Sequence, residues 1–208
     1  MAKPGFTSHT AQKEVAAAIR EVEQATSAEI VVAVRPRAGF YRHTDYLVGF
    51  ALSFAALLFF LFDPHEFSIA WMPADTLAAF ALGTLLSAGV PPLRRALTSR
   101  KLMANNVRTA ARASFVELGV TRTSGRSGIL VFASMFERRV EVVTDIGIDL
   151  AVLGQRFTDA IGSLERAVRR GPSFPAFVAA LRSLGPILAD ALPRLATDVN
   201  ELPDEPPA

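Results

Sequence analysis

Five polar residues crowd into one short stretch: Thr121, Arg122, Thr123, Arg126 and Ser127. They lead directly into an apolar run at 129–134, and Asp145 closes the next such run at 139–145. In an open α/β sheet, ligands gather outside the carboxyl ends of strands, and Asp145 is expected there. A carboxylate in that place could hold Ca or Mg through its oxygens, and Arg122 or Arg126 could clamp a phosphate bidentately. Thr123 and Ser127 add hydroxyls to such a ligand site. Glu29, which opens an earlier apolar run, is a further candidate. Each residue also has a structural use. Asp145 can cap the turn before Gly147, as Asp commonly does, and Glu29 can pair with Arg138 or Arg139. Asp145, Arg122 and Arg126 are therefore the candidate catalytic set, and Asp145 is the one candidate metal ligand.

Other chemistries have less to stand on. There is no cysteine, so disulfides, thiolate nucleophiles and Cys-based metal sites are excluded. His9, His43 and His65 sit in unrelated segments without ligand spacing. Neither a phosphate-binding glycine loop nor a nucleophile elbow occurs. Asp63, His65 and Glu66 read as a solvated loop. The net charge is +2 with a pI near 9.4. The positive charge gathers at Arg94, Arg95, Arg100, Lys101, Arg108 and Arg112, without interleaved aromatics. That pattern fits anionic lipid headgroups better than nucleic acid.

The elements that must position these residues surround two apolar runs, 46–62 (YLVGFALSFAALLFFLF) and 76–93 (TLAAFALGTLLSAGVPPL), both uncharged. A spanning helix needs roughly 20 apolar residues. The reading is a two-helix transmembrane hairpin within 43–93, with spans of about 46–62 and 72–93. Gly49 and Ser53, and Ala79, Gly83 and Ser87, recur at four-residue spacing, which lets helix backbones approach closely in lipid. Arginines lie on both outer flanks, whereas the connecting loop holds only acidic charges. Lys and Arg bias their flanks to the cytoplasm, so both termini are expected there, with the loop outside. The alternative is a buried helical hairpin, but the first run has no polar stripe for solvent. The first ten residues lack the apolar segment of a secretory signal, so the hairpin itself is the expected targeting element.

Outside the hairpin, apolar periodicity predicts helices at 10–26, 100–118, 149–168 and 175–191, the last bent at Gly185-Pro186. Leu150, Leu153, Phe157, Ile161 and Leu164 form the expected inner stripe of the third. Strands are predicted at 29–34, 129–134 and 139–145, the last two antiparallel because their connection is short. One helix and one strand cannot bury a core alone. The expected domain is therefore discontinuous, 1–42 plus 94–208: an α/β fold with a mixed sheet and flanking helices, interrupted by the hairpin. The acidic, Pro-rich tail at 197–208 is expected to be poorly ordered.

In order along the chain, TSAEIVV (26–32), ASFVELGVTRT (113–123), SGILV (127–131), ERRVEVVTDIG (137–147) and NELP (200–203) resemble the TPM domain family, shared by plastid and bacterial YgcG-like proteins. The resemblance covers most of the chain outside the hairpin. It implies an α/β sheet with flanking helices and frequent membrane association. It also implies a role as an assembly, repair or accessory factor, and, for plastid members, weak phosphatase activity and calcium binding. Ala28 and Ser127 stand where the family usually has Gly and Asn. The expectation is a membrane-anchored, non-enzymatic accessory module with a membrane-protein partner, at the inner membrane of a bacterium. A weak metal-assisted phosphomonoesterase is the alternative.

Overall fold

The computed structural model describes residues 9–65, 67–169, 173–194 and 202. The chain divides into two compact units: residues 1–38 with 104–208, and residues 39–103.

The first unit is a mixed α/β fold, mostly helical, around a three-stranded sheet of order β1-β2-β3. β1 (Glu29–Arg35) pairs in parallel with β2 (Gly128–Ser134), and β3 (Arg139–Thr144) pairs antiparallel to β2. β2 is central and buried at all seven positions, which is why its sequence is a continuous apolar run. Alternate residues feed two cores. Ile30, Val32, Ile129, Val131 and Ala133 meet α1 (His9–Glu23), α6 (Leu150–Arg169), α7 (Phe174–Arg182) and α8 (Leu184–Ala191). Val31, Ala33, Leu130 and Phe132 meet Val107, Ala111 and Phe115 of α5 (Arg100–Glu117), whose residues from Ala104 onward belong to this unit. Gly119 ends that helix in the left-handed region (φ 68°), a conformation that favours glycine.

Two local expectations change. The last helix breaks at Ser183, not at Gly185-Pro186. Pro186 instead sits in the first turn of α8, where a missing N–H costs nothing. Leu150 is more than half exposed, outside the stripe expected of it. Gly154 (φ 61°, ψ −155°) breaks α6 there, so the opening turn is out of phase with the rest of the helix. Of the tail, only Leu202 lies within the described residues, and it packs against the core that holds Val31, Leu130 and Phe132.

In the second unit α2 (Arg42–Phe62) and α3 (Met72–Gly89) form a helical hairpin. At 1.5 Å per residue α2 is about 31 Å long, close to the thickness of a hydrocarbon core. The helices cross at Gly49 and Gly83. A Cβ on Gly83 would lie 2.9 Å from the Gly49 Cα, and one on Gly49 would lie 2.3 Å from Thr84 Oγ1. Ser53 Oγ donates to the Thr76 carbonyl across the pair. Outward, Leu47, Phe50, Phe54, Leu61, Leu77, Leu82 and Leu85 are all more than half exposed.

The second helix stops at Gly89, short of the expected Leu93. A bend of 101° at Val90 leads into α4 (Pro91–Leu97). Pro91 drives its predecessor out of the helical region, and Val90 sits at φ −116°, ψ 86°. By length and composition α2 and the α7–α8 stretch are each long and apolar enough to cross a membrane, and α3 with α4 counts as a third, broken candidate. Burial separates them: 11% of the apolar window is buried in α2 and 44% in α7–α8. The latter sets Phe177, Leu181, Leu184 and Leu188 in the sheet's core.

Candidate functional site

Most of the predicted polar residues come together at one end of the sheet. The register pairs Glu29 with Gly128 and Ile129 with Thr144. Asp145 therefore follows β3 at the end where β1 and β2 begin. It lies beyond the carboxyl end of β3, as its place in the sequence implies, and because β3 runs antiparallel that is the amino end of β1 and β2.

Backbone and hydroxyl groups knit this end tightly. The Thr123 hydroxyl accepts from the Ser127 N–H at 3.0 Å, and Ser127 Oγ donates to the Ser27 carbonyl at 3.0 Å. The Asp145 N–H donates to the Gly128 carbonyl at 2.9 Å, and the Gly147 N–H to the Arg126 carbonyl at 3.0 Å. Asp145 is buried, and its Oδ1 accepts from the Ile146 N–H at 2.8 Å. Its Oδ2 lies 3.2 Å from Arg126 Nε, an ion contact without hydrogen-bond alignment. Arg126 itself has a left-handed backbone (φ 52°). Two glycines allow the approach. A Cβ on Gly147 would come within 2.4 Å of the Gly125 carbonyl oxygen, and one on Gly128 within 2.2 Å of the Val120 carbonyl oxygen.

Arg122 is not drawn into this knot; its side chain lies along Gly119. Glu29 contributes its N–H to the Ser127 carbonyl at 3.3 Å. Its buried side chain shares a sheet face with Asp145, on opposite sides of Gly128. The expected ion pair with Arg138 or Arg139 is ruled out by register. Arg139 pairs with Ser134, at the far end of β2, about 20 Å away at the rise of a strand.

The donor set does not fit the calcium or magnesium ion considered for Asp145. Such ions take six or more oxygens. Here one carboxylate oxygen holds a backbone N–H and the other faces a guanidinium. No group of three acidic or histidine side chains is assembled among the described residues.

Three carboxylates escaped the sequence reading. Buried Glu23 accepts the Ile30 N–H at 3.0 Å. Buried Glu137, at the carboxyl ends of β1 and β2, accepts the Ala38 N–H at 2.9 Å and the Ser134 hydroxyl. It fixes the point where the chain leaves the sheet unit. Buried Asp45 and half-buried Arg94 form a bidentate pair in the hairpin unit, with both contacts at 2.8 Å. Arg94 is therefore turned inward, away from the basic patch assigned to it, and Arg108 of that patch lies 3.6 Å from Glu141. A lone acid at the head of an uncharged run was the one available signal for Asp45. Asp63 and His65 make an exposed contact of 2.6 Å, and Glu66 lies outside the described residues.

Comparison with protein-family models and with curated proteins gives no match. Among solved structures, the chain is similar to the NMR structure of BA42 protein from the psychrophilic bacterium Bizionia argentinensis. The identity is 17%, the TM-score 0.58, and the match covers 99% of this chain and 98% of that one. At that identity the likeness speaks for the α/β fold alone.

Proposed function

We propose that this chain is a membrane-anchored, TPM-like accessory or assembly module at the cytoplasmic face of the inner membrane, and not an enzyme. One observation carries the reading. Thr123, Arg126, Ser127 and Asp145, at the amino end of the parallel strands, are engaged by backbone groups or by one another, while apolar Ile146, Leu150 and Val152 of the segment that follows stand more than half exposed. Such an end suits protein contact better than turnover. The exposed apolar flanks of α2 and α3 support the anchor, since soluble proteins rarely leave contiguous apolar patches that large. Arginines on the flanks of the hairpin support a cytoplasmic domain, with Arg100 and Lys101 exposed toward anionic headgroups.

A photo-crosslinking residue placed at Ile146 in native membranes tests it. The expected result is one discrete membrane-protein adduct, absent when the same residue replaces exposed Ser124. The phosphomonoesterase reading makes the opposite demand. Phosphomonoester turnover by the purified protein, abolished by Asp145→Ala with folding intact, would overturn the accessory role.

A further inference from the structure

The hairpin unit contains a polar knot that its helix packing does not explain. Asp45 and Arg94 have side chains only 5% and 17% exposed. The Asp45 carboxylate takes three donors at 2.8 Å: Arg94 Nε and Ser87 Oγ on Oδ1, and Arg94 Nη2 on Oδ2. Beside it, the Thr44 and Thr98 hydroxyls lie 3.1 Å apart, and Thr98 Oγ1 donates to the Arg94 carbonyl at 2.7 Å. Asp45 is in the first turn of α2 and Arg94 in the last turn of α4. Each charge is thus at the helix end whose dipole favours it.

α4 has no buried residue of its own. Apolar packing therefore does not seat it after the 101° bend, and the knot is what ties it to α2 and α3. Ionisable side chains inside a membrane segment are costly unless paired, and removing one partner of a buried pair leaves an orphan charge.

The geometry points to a latch: Asp45 and Arg94 enter the bilayer boundary as one neutral couple and lock α4 across the base of the hairpin, so that α2, α3 and α4 insert as a single unit. Arg94 then carries no orientation signal. Arg100 and Lys101, both exposed, carry the positive charge on that flank. This rests on the membrane-anchored reading for its setting, while the latch itself is a matter of side-chain proximity.

The chain has no cysteine, so Thr44→Cys with Thr98→Cys places a disulfide reporter beside the knot. In the full-length protein in membranes, oxidation is expected to form the bond readily. Asp45→Asn or Arg94→Gln alone is expected to slow it at least ~10-fold, by opening the latch around an unpaired charge. The double variant Asp45→Asn/Arg94→Gln leaves no orphan charge and is expected to return to within ~3-fold of the parent. No bond in the parent, no slowing in the single variants, or a double variant as slow as the singles each overturns the latch. Alkaline extraction of the parent reads the anchor separately. A protein that washes off the membrane yet shows the latch pattern defeats the anchor and keeps the latch.

Discussion

At the scale of single residues, the sheet end around Asp145 depends on the lack of a side chain at two places. Gly147 lets its N–H reach the Arg126 carbonyl while its Cα faces the Gly125 and Arg126 oxygens. Gly147→Ala puts a methyl within 2.4 Å of a backbone oxygen that no rotamer can move aside. The expected cost is about 1–3 kcal/mol, the range for forced overpacking, read as a lower urea midpoint with an unchanged slope. Glu137 gives a second prediction. Glu137→Ala strands the half-buried Ala38 N–H and the buried Ser134 hydroxyl, at about 1–3 kcal/mol. Glu137→Gln keeps acceptor capacity and is expected to cost less in the same urea titration. The residue types of this site were legible in sequence, but their partners were not. Ser127 was a candidate ligand residue and proves to tie β2 to Ser27, because a parallel neighbour from far upstream lies beside it. Glu29 was matched with arginines near in charge logic but far in register.

At the scale of elements, the hairpin's contact seam comes directly from spacing. Gly49, Ser53, Gly83 and Ser87 all face the partner helix or the knot beside it. Gly83→Leu is expected to separate α2 from α3, since even a Cβ there meets the Gly49 Cα at 2.9 Å. Cysteines introduced at Ser53 and Thr76 should then lose their crosslink, whereas Ala78→Leu on the exposed face should keep it. The end of the second helix was the part misread. Composition alone carried the apolar run on to Leu93, but the steric effect of Pro91 on Val90 stops it at Gly89. The opening of α6 was misread for a similar reason. Periodicity assumes one continuous helix, and Gly154 breaks it.

At the scale of the whole molecule, β1 finds its neighbour only after the hairpin, with residues 29–35 paired to 128–134. A fragment beginning at residue 94 lacks β1 and α1, and with them Val15, Ile19, Val22, Ile30 and Val32 of the larger core. It is expected to show no cooperative unfolding transition by circular dichroism. The α/β class was legible because each strand is short, apolar and bounded by turn residues, and the antiparallel pairing of β2 with β3 because their connection is brief. The antiparallel turn also brings Asp145 to the end where β2 begins, beside the polar stretch 121–127. Which group each of those side chains engages was not legible, because it depends on the register of β1 and on backbone approach.

Whether the domain is anchored, and on which face, turns on where the hairpin lies, and the absence of cysteine makes that directly measurable. Single cysteines at His65, in the loop of the hairpin, and at exposed Ser124, in the sheet unit, are treated in intact cells with a membrane-impermeant maleimide. Labelling at 65 with protection at 124 until the membrane is permeabilised is the predicted result. Labelling at 124 in intact cells, or protection at 65, would contradict it.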